Sequence, residues 1–281
     1  MQLNLALAQI NTRLGDVSAN LEKHLDYIGQ AQRAGADLLV FPELSLTGYV
    51  LQDLVPTVAC RPSVDDPVFG PLLNASRDLD LVIGFVDEDP RHRFYIAAAY
   101  LSAGELVHVH HKVHPPTYGI FDERRFFASG DRFRSFETRW GRAGILICED
   151  FWHASSPYLL WMDGADLLIM ISASPGRGVT DEQIGSAQWV QTVHQAYAGL
   201  FTVFVAHANR VGFEDGLNFW GGATVFDPDG KLLVRGPFHE ETITYATLDL
   251  AQLRRTRARL PLLRDERPEV VLKELNRILQ T

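Results

Sequence analysis

Cys148 closes the apolar run Gly144-Ile145-Leu146-Ile147 and is followed at once by Glu149-Asp150 and by Phe151-Trp152-His153, which reads as a turn into a helix. A thiol at the end of a buried strand and before a helix N-terminus meets the positive end of the helix dipole, which favours the nucleophilic thiolate. Backbone amides at such a turn also suit an oxyanion. The carboxylates beside the thiol oppose its ionisation, so a cationic partner is expected. Lys112 is a candidate, because Pro115-Pro116 just beyond it restrict the chain. Glu43, in Phe41-Pro42-Glu43-Leu44-Ser45-Leu46-Thr47-Gly48-Tyr49, arrives from a short buried strand. A carboxylate at a sheet rim in apolar surroundings has a raised pKa and can act as a general base. Taken singly, each has an ordinary alternative: a buried cysteine, a surface lysine, a solvated loop glutamate.

The elements that position these residues follow from periodicity. Leu3 to Ala8 alternates as a strand, and Leu21, Leu25, Ile28 and Ala31 have the spacing of a helix that ends near Gly35. Asp37–Phe41 is a short buried strand stopped by Pro42. A helix is expected over Phe69–Arg77, a strand over Leu81–Val86, and a hairpin joining 94–101 to 105–111. Strands at 143–147 and 166–171 flank a helix that contains Tyr158–Trp161. A longer helix spans about 181–198, and strands follow at 201–207, 223–226, 231–234 and 242–248. An amphipathic helix closes the chain at about 269–279. Alternating strands and helices early, with hairpins in the middle and near the end, imply a mixed sheet covered by helices.

With 281 residues and 46% hydrophobic content the chain can bury a large core, and no Gly/Ser- or Pro-rich linker divides it, so one domain over 1–281 is expected. A formal charge of -9 argues against a nucleic-acid partner. Two cysteines, Cys60 and Cys148, and an N-terminus without a basic and apolar leader point to a reduced, cytoplasmic setting with no membrane span. His108 and His110 share a strand face, yet no Cys/His/carboxylate set completes a metal-binding spacing. Gly176-Arg177-Gly178 lacks a dinucleotide-binding frame.

Three motifs fall in fixed order: Phe41-Pro42-Glu43-Leu44-Ser45-Leu46-Thr47-Gly48-Tyr49, His111-Lys112-Val113-His114-Pro115-Pro116-Thr117-Tyr118-Gly119, and Leu146-Ile147-Cys148-Glu149-Asp150-Phe151-Trp152. Together they resemble the nitrilase, or carbon–nitrogen hydrolase, superfamily, and are most similar to the glutaminase domain of glutamine-dependent NAD synthetase. The resemblance implies an α/β fold, a four-layer α-β-β-α sandwich with two mixed sheets, and a catalytic set of Glu43, Lys112 and Cys148. It implies that Glu123, in Tyr118-Gly119-Ile120-Phe121-Asp122-Glu123, is a supporting glutamate, and that the Glu149 backbone amide joins Lys112 in holding an oxyanion. Tyr118, Phe121, Trp152, Ser174 and, more weakly, Arg177 are the implied substrate-binding residues. The implied reaction is hydrolysis of a small, glutamine-like amide through a cysteine thioester, with ammonia released and no cofactor. Nitriles and carbamoyl amides are alternative substrates for the same triad, and an idle subunit bound to a synthetase is the non-enzymatic alternative. A homodimer or higher homo-oligomer is implied. The chain leaves no room for an ATP-using synthetase domain, so ammonia made for synthesis would pass to a separate synthetase partner.

Overall fold

The computed structural model describes residues 1–176, 179–180 and 183–280. Two six-stranded sheets form its centre. Across the first sheet the strands are Thr242–Asp249, Gln2–Gln9, Leu38–Val40, Asp80–Glu88, Phe94–Ser102 and Glu105–His111. Across the second they are Leu232–Arg235, Thr224–Phe226, Phe204–Asn209, Leu167–Ser172, Gly141–Ile147 and Phe136–Thr138. Both sheets are mixed. Gln2–Gln9, Leu38–Val40 and Asp80–Glu88 run parallel, as do Gly141–Ile147, Leu167–Ser172 and Phe204–Asn209, and the remaining pairs are antiparallel.

Side-chain alternation along a strand sends neighbours to opposite faces, and here both faces of each sheet are covered. Leu3, Leu5, Leu7, Val40 and Val82 meet Ile145, Ile147, Ile169 and Ile171 between the sheets. The intervening Ala6, Ala8, Leu39, Leu81 and Ile83 pack with Ile28, Ala31, Phe69 and Leu72 from the helices Val17–Arg33 and Phe69–Ala75. On the far side, Leu146, Leu168, Met170 and Val205 pack with Leu160, Trp161, Ala187 and Val190 from the helices Ser155–Met162 and Gly185–Phe201. The layers are therefore helix, sheet, sheet, helix.

Several boundaries differ from expectation for local reasons. The long helix runs on to Phe201 and is stopped by Thr202 in a left-handed conformation (φ 52°), so the next strand begins at Phe204 rather than Phe201. The hairpin of Val211–Glu214 and Leu217–Trp220 turns on Asp215-Gly216, both at positive φ, and was missing from the expected strands. Its four-residue strands are too short to show a period, although Asp-Gly is a strong hairpin signal. The helix Ala251–Arg259 was also unexpected; it buries only Leu253 and Thr256, so it carries almost no apolar stripe. Among the described residues no helix is long and apolar enough to cross a membrane.

Candidate active site

Glu43 lies three residues beyond the strand Leu38–Val40, where Pro42 has ended the ladder. The chain there crosses directly over Gly84. A Cβ at that position would stand 2.1 Å from the Pro42 carbonyl oxygen, so only glycine admits the crossing. Leu44 then turns through a left-handed conformation (φ 49°), and the Glu43 carboxylate is buried with 1% of the residue exposed. Its Oε1 accepts from Lys112 Nζ at 2.7 Å, and its Oε2 accepts from the Ala173 amide at 2.8 Å. Ala173 follows the strand Leu167–Ser172 of the second sheet, so this carboxylate ties the ends of both sheets together.

Lys112 follows the edge strand Glu105–His111 and is completely buried. Its ammonium also donates to Glu123 Oε1 at 2.9 Å, and Glu123 Oε1 accepts from the Tyr49 hydroxyl at 2.5 Å. Glu123 sits in the single turn Glu123–Arg125, and Tyr49 ends the Glu43 segment. Burial would lower the Lys112 ammonium, yet the carboxylates of Glu123 and Glu43, with Cys148, hold it well above the usual lysine range. Burial pushes Glu123 up to about 7; Lys112 pulls it down and Glu43 pushes it further up. Two carboxylates thus share one ammonium, and Glu123 holds the excess proton below about pH 7.

Cys148 follows the strand Gly141–Ile147 and opens a five-residue 3₁₀ turn, Cys148–Trp152. Its φ of 47° is left-handed, a costly conformation for a residue with a side chain and one that recurs where a strained turn serves a site. The sulfur is close enough to Glu43, Lys112 and Glu123 that each acts on its ionisation. Burial raises the thiol well above its ordinary value, Glu43 raises it further, and Lys112 opposes both. The resting group is therefore a thiol. The helix N-terminus expected to favour a thiolate is here a single 3₁₀ turn, and a proton must leave the sulfur during attack.

Asp150 joins the lysine segment to the cysteine turn, a role that sequence reasoning missed. Its Oδ1 accepts from the amides of Val113 and His114, each at 3.0 Å, and its Oδ2 accepts from the Ile147 amide at 3.2 Å and pairs with His110 Nε2 at 2.9 Å. Burial would raise this carboxyl, but the His110 bond, with the charges of His110 and Lys112, holds it below the usual range. His110 and His108 do share the inter-sheet face; His110 binds Asp150, while His108 stacks on Phe136 at 4.3 Å.

A cavity of about 350 Å³ reaches Tyr49 and Glu123 and is walled by Phe121, Leu44, Ile96 and Phe127. Among the described residues, Phe121 alone of the expected substrate-binding residues lines it. Tyr118 is half exposed and donates its hydroxyl to the Glu149 carboxylate at 2.8 Å. Trp152 is partly exposed beside Phe151. Ser174 is half-buried, and its amide donates to Asn209 Oδ1 at 2.9 Å. Arg177 lies outside the described residues. Tyr49, Asp150 and the Ala173 amide complete the cluster around the three expected residues. Tyr49 and Asp150 stand inside the first and third motifs, where the sequence could have flagged them, whereas the Ala173 amide carries no such signal.

The fold and these strand-end residues define a class: the chain belongs to the carbon–nitrogen hydrolase family, whose model matches residues 4–258. It is 34% identical over 253 residues to the glutamine-dependent NAD(+) synthetase of Thermotoga maritima, a match covering 89% of this chain and 42% of that protein. The structure of glutamine-dependent NAD+ synthetase from Acinetobacter baumannii in complex with ADP superposes with a TM-score of 0.79 at 28% identity, covering 90% of this chain and 47% of that one. The chain thus spans less than half the length of these relatives. An amidase from Nesterenkonia sp. AN1 superposes with a TM-score of 0.80 at 26% identity, covering 96% of both chains. That amidase structure shows covalent addition of the acetamide moiety of fluoroacetamide at its active-site cysteine. This chain is a nitrilase-superfamily carbon–nitrogen hydrolase, similar both to the hydrolase part of the synthetases and to amidases.

Proposed function

We propose that residues 1–281 form one hydrolase domain that cleaves the amide of a small, glutamine-like substrate through a thioester on Cys148 and releases ammonia. The observation that carries this reading is the buried Glu43–Lys112–Glu123 cluster at the end of the first sheet, with the Cys148 sulfur inside its electrostatic reach. Glu43 accepts the thiol proton as sulfur attacks the carbonyl carbon, because burial keeps that proton on sulfur at rest. Lys112, charged throughout the working range, and the Glu149 amide hold the oxyanion. Glu43 then passes the proton to the departing nitrogen. The carbon–nitrogen bond breaks, ammonia leaves, and an acyl–sulfur bond remains. Water attacks that thioester, gives its proton to Glu43, and frees the carboxylic acid and the thiol. Glu123 and Tyr49 fix the ammonium opposite Glu43.

Similarity to the synthetases favours glutamine as the amide, with ammonia delivered to a synthetase domain or separate partner; the working unit in this reading is a homodimer or higher homo-oligomer. Ammonia release across glutamine, carbamoyl amino acids and aliphatic nitriles tests the substrate. Fastest release from glutamine is expected. Release from a nitrile or a carbamoyl amide alone overturns the glutamine assignment while keeping the cysteine chemistry. No release from any member, with co-purification of a synthetase, favours an idle binding subunit.

A further inference from the structure

A second cavity, also about 350 Å³, lies along the outer edge of the strand Glu105–His111, away from Cys148. That volume is at the low end of ordinary small-ligand pockets, about 300–1,000 Å³. Its charge runs against the rest of the molecule. The chain carries 35 acidic and 26 basic residues, yet this cavity is lined by Arg93, Arg132 and Arg134 against only Asp89 and Asp131. The two carboxylates are already engaged: Asp89 binds Arg93 Nε at 2.8 Å, and Asp131 binds Arg132 through both oxygens. Among the described residues the Arg134 guanidinium has no carboxylate within ion-pair distance, so one full positive charge is left over at the wall.

His108 stands in the same wall and is near enough to Arg134 for the guanidinium to act on its ionisation. One face of its ring stacks on Phe136 at 4.3 Å, and among the described residues neither ring nitrogen has a hydrogen-bond partner. Burial, with the neighbouring His110 and Arg134, lowers this imidazole to about 4, so at neutral pH it offers an N–H without a charge of its own. An uncompensated guanidinium fork and an unused imidazole N–H, converging on one cavity of an acidic protein, form a donor set whose natural complement is an oxyanion.

We propose that this cavity is a binding site for a small oxyanion, a phosphate or a carboxylate group, held by Arg134 and His108 with Arg93 and Arg132 at its rim. The site is separate from the proposed hydrolase centre and does not rest on that reading. Its back wall includes His110, whose Nε2 pairs with Asp150, so an occupant would sit one side chain away from the clamp on Lys112.

Isothermal titration calorimetry of the intact protein with inorganic phosphate, and separately with succinate, at low ionic strength tests the proposal without reference to catalysis. Saturable one-to-one binding is expected, weakening as salt screens the arginines. Arg134→Gln is expected to weaken it at least about tenfold, in line with the loss of one charge-assisted contact. His108→Gln is expected to weaken it less, and Arg33→Gln, which removes an exposed arginine on a distant helix, to leave it unchanged. Phosphate binding without succinate binding identifies a phosphorylated ligand, and the reverse a carboxylate. Arg134 is exposed, so its replacement does not threaten the fold. Absence of saturable binding with both anions, or binding by Arg134→Gln equal to wild type, overturns the site.

Discussion

In the folded chain Glu123 keeps its proton up to about pH 7, whereas an ordinary glutamate loses it near 4.5. Between those values the native state holds one more proton than the unfolded chain, so stability falls as pH rises. The stabilising contribution is complete below about 4.5 and gone above about 7. Over a window from pH 5 to pH 8 this amounts to roughly 2–3 kcal/mol. Glu123→Gln removes the titration while keeping an acceptor for Lys112 and Tyr49. Urea unfolding of wild type and variant at several pH values gives the two curves. Buried His24 and half-buried His108, each lowered to about 4, and buried His207, lowered to about 3, act with the opposite sign: they cost stability as pH falls below 6.5. Those contributions are common to both proteins and cancel in the difference. Wild type is therefore expected to lose roughly 2–3 kcal/mol more than Glu123→Gln between pH 5 and pH 8. Parallel curves would refute the account of two carboxylates sharing one ammonium.

Removing the ammonium is the complementary test. Lys112→Met leaves Glu43 and Glu123 buried without their cation, which costs about 3–5 kcal/mol in denaturant unfolding, and removes an oxyanion donor, for a kcat loss of about 10²–10³-fold. Asp150→Asn replaces a four-bond acceptor with a group that must donate on one side, so Val113, His114, Ile147 and His110 cannot all keep their partner. A stability loss of about 2–4 kcal/mol is expected in thermal or urea melts, with a drop in kcat larger than any change in KM. Cys60 is buried away from this cluster, and burial with Asp66 and Asp87 pushes its thiol up to about 12. Cys60→Ser is expected to keep ammonia release within about twofold of wild type, since an inert buried thiol contributes packing and no chemistry.

Much of the site was legible because each motif sits where a buried strand stops. Pro42 after Phe41, the Pro115-Pro116 pair after Lys112 and the acidic pair after Ile147 are local signals, and each marks a strand end in the fold. The two faces of the sheets were equally legible, since Leu3, Leu5 and Leu7 alternate with Ala6 and Ala8 on the two sides. What escaped was long-range. Asp150 read as a charge opposing Cys148, yet four donors from two chain segments absorb it, and no local pattern announces that His110 will meet it 40 residues away. The Ala173 amide that orients Glu43 has no side-chain signature at all, and it is 130 residues distant in the chain. Glu214, which no motif includes, accepts from the amides of Tyr49 and Val50, each at 2.7 Å, and fixes the tyrosine that meets Glu123. The balance of effects on the Cys148 thiol was only partly legible. The carboxylates beside it and the turn after it are visible in sequence, whereas its burial comes from the packing of two sheets.

The proposed chemistry stands on a covalent bond between Cys148 and the acyl group of the substrate. Intact-mass and peptide-level mass spectrometry of the wild-type protein, acid-quenched rapidly during turnover of glutamine, reads that bond directly. An acyl adduct confined to the Cys148 peptide, absent from Cys148→Ala, is the expected result. An adduct on Cys60 or any other residue, or ammonia release by Cys148→Ala at the wild-type rate, would contradict it.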